Sequence, residues 1–352
     1  MSELAFVVPA GIDDAQRPSG GNLYDQHVRD GLRERGWQVR EIACPGDWPA
    51  PDAAARAWLA CGLAELAPGT TVLMDGLIAC CVPAVLAAHA SRLPIIVLLH
   101  MPLGVPPTAG DAAIVAERER QALACARRVI VTSAWTGQWA RAAGGVAGER
   151  IVVALPGVDA APRAAPGMDG TRLLCVAAIT LLKGHDVLLD ALAMLRDATW
   201  QLACVGSAAV EPGFAQALRR RAADACIADR IVWHGVLHGA ALERVWARSD
   251  LLVLASRKES YGMVVAEALV HGMPVIACGV GGVPEALGRA IDGALPGMLV
   301  PPNAPGPLAQ ALRQWLADPA LRERWRMAAS SRSAGLPRWR DTLAAIEAAL
   351  PA

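Results

Sequence analysis

The sequence contains almost no lysine. Of its 33 basic residues, only Lys183 and Lys258 are lysines, and the others are arginines. An ammonium group is compact and strongly hydrated, whereas a guanidinium is planar, so the two are not interchangeable where a compact charge is needed. The two retained lysines are therefore candidate functional residues, and chance retention is the alternative for each.

The sequence also lacks net charge, long apolar runs and the spacing of a metal or redox site. The 33 basic residues balance 33 acidic ones, so no long-range field favours nucleic acid or an anionic membrane. No apolar run reaches about 18 residues, and the N-terminal segment has no basic region and breaks at Pro9, so we expect a cytoplasmic protein without a transmembrane segment. The nine cysteines include no Cys-x-x-Cys pair, which predicts small buried free thiols. No Asp-x-Asp motif is present, and we expect neither a metal site nor a cofactor.

Apolar segments of strand length alternate with helical segments along the chain. In the first half, strands are predicted at LAFVVPA, WQVREIAC, TVLMDG, PIIVLLH, RVIVTS and RIVVALP. In the second half, they are predicted at TRLLCVAAI, WQLACVG, RIVWHGV, DLLVLAS and PVIACG. Continuous apolar strands separated by helices indicate parallel sheets covered on both faces. A chain of 352 residues fits two such domains.

A segment rich in Pro, Gly and Ala, residues 156–170, separates the two halves and predicts a linker. We therefore expect an α/β protein with two doubly wound, Rossmann-like domains that face a central cleft. The domains are expected at 1–160 and 171–335, with 336–352 as a C-terminal helix that packs back towards the first domain. Ligands of such sheets bind outside the carboxyl ends of the strands, so functional residues are expected in the loops there.

Two glutamates flank the start of the helix predicted after DLLVLAS. Glu259 lies in the loop, and Glu267 lies about a turn and a half inside the helix. The helix N-terminus offers unpaired amides and the positive end of the helix dipole, which suit an anion. The two carboxylates would then contact different parts of one elongated ligand. The alternative is that Glu259 is solvated and Glu267 makes a structural hydrogen bond.

The stretch ESYGMVVAE, residues 259–267, resembles the signature of the family 4 retaining glycosyltransferases, which have the GT-B fold. Further segments resemble that family in the same order along the chain: PSGGNLYDQHVRDGLRERGWQV, RVIVTS with IVVALPGVD, LLKGHDVLLDAL, ALVHGMPVIACGVGGVPE and GMLVPPNAPGPLAQAL. The resemblance covers most of the chain. It implies a GT-B fold in which the second domain holds a nucleotide sugar and the first holds an acceptor.

The resemblance also implies a role for each residue around the signature. In the family the first Glu lies near the donor sugar and the second binds the ribose hydroxyls, which implies these roles for Glu259 and Glu267. Lys183 matches the family's Lys-Gly element, whose ammonium stabilises the leaving diphosphate. The resemblance places the other donor-binding residues at Ser260, Tyr261, Gly262, Met263 and Val264.

In the first domain the candidates are Gly20, Gly21 and His100. The two glycines follow the first strand and precede a helix, where the missing Cβ lets backbone approach a ligand closely. They resemble the family's glycine-rich loop, and a plain turn is the alternative. His100 ends the strand PIIVLLH and resembles the family's acceptor-side histidine. An ordinary histidine in a loop is the alternative there.

One position departs from the family. Where the family often has Gly-Arg, this chain has Ala177 and Ala178, so a cation expected on the phosphates is missing. Arg257 or Lys258 is the candidate substitute. The departure puts the phosphate contacts and the catalytic rate in question and leaves the fold unaffected.

The resemblance implies a retaining, hexosyltransferase-type glycosyltransferase. The expected donor is a nucleotide diphosphate sugar, with UDP favoured over GDP, and the expected acceptor is a small molecule, a glycan or a lipid-linked compound. No nucleic-acid partner is expected, and a basic helical face at 322–326 leaves peripheral membrane contact open. The alternatives are a nucleotide-sugar-binding protein with little activity, or an epimerase or phosphorylase on the same fold.

Overall fold

The structure is a computed structural model that describes residues 3–104, 112–164, 167 and 169–351. The chain forms two compact units. Unit 1 comprises Met1–Asp14, Ser19–Gly157 and Pro337–Ala352, and unit 2 comprises Ala15–Pro18 and Val158–Leu336. Each unit contains one six-stranded sheet.

The sheet of unit 1 is parallel and has the strand order β2-β1-β3-β4-β5-β6. Its strands are β1 (Glu3–Pro9), β2 (Gln38–Cys44), β3 (Thr71–Asp75), β4 (Ile95–Leu99), β5 (Arg128–Val131) and β6 (Ile151–Val153). The helices between them are α1 (Gly20–Glu34), α2 (Ala53–Ala64), α3 (Gly76–Ala79), α4 (Pro83–His89), α5 (Ala112–Cys125) and α6 (Ala134–Ala142). The order reverses between β1 and β3, so a ligand-binding crevice is expected at the carboxyl ends of these strands.

Both faces of this sheet are covered, which explains why its strands are apolar throughout rather than alternating. Along β1, Ala5 and Val7 pack into one hydrophobic cluster, and Leu4, Phe6 and Val8 pack into another on the opposite face. The first cluster includes residues of α2, α4 and α5, and the second includes residues of α1.

Unit 2 repeats this design with the strand order β12-β11-β10-β7-β8-β9, again parallel. Its strands are β7 (Arg172–Val176), β8 (Gln201–Val205), β9 (Ile231–Gly235), β10 (Leu251–Leu254), β11 (Val275–Cys278) and β12 (Gly297–Val300). Its helices are α7 (His185–Ala193), α8 (Pro212–Asp224), α9 (Gly239–Ala247), α10 (Met263–Val270), α11 (Val283–Leu287), α12 (Pro305–Ala317) and α13 (Pro319–Ser333). The order reverses between β7 and β10.

The last helix, α14 (Trp339–Ala349), belongs to unit 1 although unit 2 precedes it in the chain. Its residues Leu343 and Ile346 pack into the same cluster as α1 and β1. The Thr342 hydroxyl donates to the carbonyl of Leu155 at 2.7 Å, and the Trp37 indole donates to Glu347 at 3.0 Å. The C-terminal helix therefore completes the core of unit 1.

The segment 156–170 forms no helix or strand over its described residues, and 165, 166 and 168 lie outside the described part of the chain. From Val158 onwards it packs on unit 2. Ala164 donates its amide to the carbonyl of His271 at 2.9 Å, and Gly167 donates its amide to Asp250 at 2.6 Å. Much of the predicted linker is therefore held against unit 2 by hydrogen bonds.

All nine cysteines are free, as predicted, but Cys61 and Cys226 are exposed rather than buried. Within the described ranges, no helix combines the length and the apolar composition that crossing a membrane requires.

Candidate active site

In unit 2, the reversal of strand order brings two of the predicted site residues together. Lys183 lies in a single 3-10 turn, Leu181–Lys183, after β7, and Glu259 lies in the loop after β10. Because β7 and β10 are hydrogen-bonded neighbours, both loops emerge at the same edge of the sheet. Lys183 Nζ donates to Glu259 Oε1 at 2.6 Å.

The Glu259 carboxylate is buried, with 7% of the residue exposed. The Ser256 hydroxyl donates to the same oxygen atom, Oε1, at 2.8 Å. A buried carboxylate is costly unless a positive charge and hydrogen bonds compensate it. Lys183 and Ser256 supply that compensation. Glu259 is therefore not solvated, which was the alternative for this residue.

Gly184 allows the lysine turn to lie against the β10 loop. Its φ of +65° is in the left-handed region, and a Cβ there would collide with the carbonyl oxygen of Ala255. Only glycine meets both conditions without strain. The amide of Arg257 donates to the carbonyl of Leu182 at 2.8 Å, which ties the two loops together.

The helix that follows, α10, begins without a side-chain cap. Its N-cap is Gly262, with φ of +88°, and no side chain of the described residues caps the first turn. Such a turn can receive an anion through its amides and the positive end of the helix dipole. Met263 and Val264 occupy this turn and are half-buried.

Glu267 lies in the second turn of α10 and is half-buried. Burial, together with the nearby charges of Asp159 and Glu243, raises its pKa to about 7. In contrast to Glu259, it has no cation partner among the described residues. Its carboxylate is therefore held close to its titration point at neutral pH.

The residues between the two glutamates, all expected to contact the donor, differ in how exposed their side chains are. Tyr261 is 1% exposed, and burial raises its pKa to about 12. Its side chain is thus part of the core and remains a neutral phenol. Ser260 is half-buried.

The arginine proposed as a substitute for the missing phosphate cation has a partner already. Arg257 forms a bidentate ion pair with Asp186, with N–O distances of 2.8 and 2.7 Å, and donates to Asn303 at 2.7 Å. Its guanidinium donors are therefore directed to groups of unit 2, which leaves it a less suitable phosphate ligand than Lys183.

In unit 1, the predicted residues meet at the reversal between β1 and β3. Gly20 and Gly21 begin α1, whose N-cap Ser19 accepts from the amide of Asn22 at 3.0 Å. His100 follows β4, and a Cβ added to Gly21 would lie 3.5 Å from His100 Cδ2. The missing side chain therefore lets the imidazole lie directly against the glycine-rich loop.

Two residues that we did not predict accompany His100. Its Nε2 is 2.8 Å from Asp25 Oδ1, and Asp75 ends the neighbouring strand β3. Ligand atoms of the three side chains lie within 4.8 Å of one another, which is close enough for a metal ion, although His100 Nε2 is already hydrogen-bonded. The signal available in the sequence was a carboxylate at the end of a strand that is otherwise apolar except for its first residue, TVLMD.

The charges of this cluster change its protonation. Burial would lower the pKa of His100, but the charge and the hydrogen bond of Asp25 outweigh burial and raise it to about 9. Burial and the charge of Asp25 raise the pKa of Asp75 to about 7. At neutral pH these shifts favour an imidazolium at His100 and partial protonation of Asp75.

Comparison with known proteins finds similar glycosyltransferases. Residues 162–332 match the family model described as glycosyl transferases group 1. A D-inositol 3-phosphate glycosyltransferase of Jonesia denitrificans is 32% identical over 201 residues, which cover 51% of this chain and 46% of that protein. One of Mycolicibacterium vanbaalenii is 33% identical over 225 residues, which cover 58% of this chain and 49% of that protein. The chain spans about half the length of the curated relatives it matches.

Solved structures match over nearly the whole chain. Sucrose-phosphate synthase of Thermosynechococcus elongatus has a TM-score of 0.78 at 21% identity, with 99% of this chain and 98% of that chain covered. Anabaena HepE in complex with UDP-glucose has a TM-score of 0.75 at 18% identity, with 99% of both chains covered. At such identities the similarity establishes the fold, and the predicted two-domain, Rossmann-like GT-B fold is confirmed.

Proposed function

We propose that this chain, which resembles the family 4 glycosyltransferases of the GT-B fold, transfers a sugar from a nucleotide diphosphate donor to an acceptor. The observation that carries the proposal is the Lys183–Glu259 ion pair, which lies beside the uncapped N-terminus of α10 with Glu267 one turn further on. At the end of a parallel sheet, the first carboxylate suits the hydroxyls of a sugar, the cation and the uncapped amides suit a diphosphate, and the second carboxylate suits the hydroxyls of a ribose.

Unit 2 would hold the donor. The diphosphate would lie between Lys183 and the first turn of α10, the ribose hydroxyls would donate to Glu267, and the sugar would lie near Glu259. Ser260, Tyr261, Gly262, Met263 and Val264 would line this path, Tyr261 through its backbone because its side chain is in the core. UDP is favoured over GDP, and the relative HepE, which binds UDP-glucose, supports that preference.

Transfer would retain the configuration of the sugar. The bond from the anomeric carbon to the diphosphate oxygen breaks while the acceptor hydroxyl attacks from the same face, and the hydroxyl proton passes to the departing diphosphate. Negative charge grows on the diphosphate, where the fixed ammonium of Lys183 lowers the transition-state energy. The mechanism needs no carboxylate nucleophile, which leaves Glu259 to bind and orient the sugar.

Unit 1 would hold the acceptor, with Gly20, Gly21 and His100 at its surface. Residues 1–160 would bind the acceptor, and residues 171–335 would bind the donor. The helix in 336–352 would pack against the acceptor-binding domain. The acceptor is a small molecule, a glycan or a lipid-linked compound.

A panel of UDP- and GDP-sugars tests the proposal. A donor at 100 times its dissociation constant should stabilise the protein by about 2.7 kcal/mol, and transfer to an added acceptor should release one nucleotide diphosphate for each glycoside. Stabilisation without transfer would indicate a nucleotide-sugar-binding protein. An epimerised sugar or a requirement for inorganic phosphate would indicate another enzyme class. No stabilisation by any nucleotide sugar would refute the proposal.

A further inference from the structure

The group formed by Asp25, Asp75 and His100 carries an inference of its own. All three side chains come from different elements, α1, β3 and the end of β4. Asp25 is fully buried, Asp75 is 4% exposed, and the His100 side chain is 16% exposed. Burial of two carboxylates beside one histidine is costly, so the histidine must bear a positive charge or the carboxylates must share protons.

The hydrogen bonds of the group link the three side chains. Asp75 Oδ1 accepts from the amide of Leu77 at 2.8 Å, and so caps α3. Asp25 Oδ1 accepts from His100 Nε2 at 2.8 Å. Asp25 Oδ2 is buried and has no donor group beside it among the described residues, and besides burial, the charge of Asp25 and a side-chain hydrogen bond with it raise the pKa of Asp75. Asp25 is therefore the carboxylate that bonds to the ring, whereas Asp75 acts on the ring by its charge.

The imidazole ring is oriented by its neighbours. The Tyr24 ring meets it edge-on, with centroids 5.2 Å apart, and the backbone at Gly21 lies against its Cδ2 edge. Nε2 is hydrogen-bonded to Asp25, while Nδ1 has no hydrogen bond to any described residue and is not fully buried. One ring nitrogen is therefore bonded within the cluster, and the other is available to a ligand.

We propose that Asp25 is a positioning residue of unit 1, which keeps His100 as an imidazolium with Nε2–H bonded to Asp25 and Nδ1–H directed to an oxygen atom of the acceptor substrate. The proposal rests on the proposed function, in which unit 1 holds the acceptor. His100 is then a charged hydrogen-bond donor that orients the acceptor and not a base that removes its proton.

The groups that face His100 agree with this charge state. Asp25 and Tyr24 face it from α1, and Asp75 faces it from β3. The phenol of Tyr24 stays neutral, since burial raises its pKa well above the usual value and its hydroxyl donates to the carbonyl of Ala154 at 2.9 Å. Helix α3 has no charged residue, and the Thr132 hydroxyl donates to the His100 carbonyl at 3.1 Å. Among the described residues, the charges that act on the ring are those of Asp25 and Asp75.

The direct test is an NMR titration of His100 in the full chain, with its resonance assigned by its disappearance in His100→Gln. In the wild-type protein His100 should remain charged well above pH 6.5. Asp25→Asn should lower the midpoint by roughly one to three pH units, the effect of an opposite charge at this distance. The control, Asp30→Asn, changes an exposed carboxylate of the same helix and should leave the midpoint unchanged. A wild-type midpoint at or below 6.5, or no change in Asp25→Asn, would overturn the proposal.

Transfer kinetics separate positioning from a general effect on the fold. Asp25→Asn should reduce kcat/KM for the acceptor on the order of tenfold, with donor KM unchanged, and should have no further effect when combined with His100→Gln. An equal additional loss in the double variant would show that Asp25 does not act through His100. The titration does not depend on turnover, so a shifted His100 in a protein without transferase activity would refute the proposed function and leave the positioning role standing. If Asp25→Asn does not fold, a wild-type midpoint at or below 6.5 still overturns the proposal.

Discussion

The ammonium of Lys183 and the carboxylate of Glu259 form an ion pair at 2.6 Å in unit 2, although the two residues are 76 positions apart in the chain. The pair is largely shielded from water, with side-chain exposures of 28% and 9%. Each charge compensates the other before any donor is present. In the proposed function, a donor would meet a lysine and a glutamate that are already held in place, which would lower the reorganisation that catalysis requires.

Lys183→Ala should lower kcat by about 100-fold or more and change donor KM much less, because the ammonium matters most when charge grows on the leaving diphosphate. Lys183→Arg should recover little, since a planar guanidinium does not fit where an ammonium lies 2.6 Å from Glu259. Steady-state kinetics of the three proteins measure both parameters.

Arg220→Ala is the matched control for the loss of a positive charge in unit 2. Arg220 is exposed on α8 and has no role in the proposed site, so its loss should leave both kinetic parameters unchanged. Normal turnover in Lys183→Ala would remove this lysine from the mechanism.

Substitutions of the two glutamates should affect different parts of donor recognition. Glu267→Gln keeps the shape but loses the charge, so it should weaken binding of free nucleotide diphosphate by about 1.5–3 kcal/mol at most, the value of a hydrogen bond to a charged group. Glu259→Gln should leave that affinity nearly unchanged and reduce turnover or alter donor choice, because a free nucleotide has no sugar to contact. Calorimetry with the nucleotide beside transfer kinetics measures both, and the reverse outcome would exchange the two assignments.

The sequence predicted the parts of this site that depend on neighbouring residues, and the structure was needed for the rest. The apolar runs predicted five strands of unit 2, and the sixth, β12, lies in the segment GMLVPPNAPGPLAQAL, which was singled out only by its resemblance to the family. The spacing of Gly262 and Glu267 on one helix follows from local geometry. The contact between Lys183 and Glu259 depends on β7 and β10 being neighbours, which is decided by the crossover and not by any local pattern. Asp25 was missed for the same reason, since only the order of strands brings it to His100.

Binding of nucleotide diphosphate should strengthen as the pH rises from about 6 to 8. Burial raises the pKa of Glu267 to about 7, so this carboxyl is largely protonated at the lower pH and accepts only a weaker, uncharged hydrogen bond from the ribose. The nucleotide phosphate titrates in the same range, and Glu267→Gln isolates the contribution of the protein. The difference in affinity between wild type and Glu267→Gln should be small at pH 6 and larger at pH 8, and a constant difference would argue against a role for Glu267 ionisation.

Gly184→Ala should destabilise unit 2 by about 1–2 kcal/mol or more, since the residue has φ of +65° and that conformation alone costs this much for an L-residue. The new methyl group would also collide with the carbonyl of Ala255 and displace the lysine turn, so kcat should fall as well. Gly213→Ala in α8 is the control, because a Cβ there meets no atom within 4 Å. Urea denaturation should show no destabilisation of the control, and equal effects of the two substitutions would contradict the assigned role of Gly184.

The buried cluster of unit 1 should make the protein less stable as the pH rises from about 4 to 9. In the folded state the pKa of Asp75 is raised from 3.8 to about 7 and that of His100 from 6.5 to about 9, so the folded protein binds these protons more tightly than the unfolded chain. Each contribution is fully present below the unfolded pKa and is lost as the pH rises through the folded pKa. The window is therefore about 4–7 for Asp75 and about 6.5–9 for His100.

Other groups titrate in the same range, so the stability of the wild type alone does not isolate this cluster. Glu267 loses a stabilising contribution between its usual pKa of 4.5 and about 7, and His185, whose pKa burial lowers to about 4, gains one between about 4 and 6.5. The difference in free energy of unfolding between wild type and Asp75→Asn cancels both. Asparagine keeps an oxygen for the Leu77 amide but cannot ionise, so this variant should gain on the wild type as the pH rises from 4 to 7. Asp30→Asn should show no such trend, because Arg29 lowers the pKa of Asp30 and places its window below 3.8. A flat difference for Asp75→Asn would mean that Asp75 titrates normally and shares no proton with the cluster.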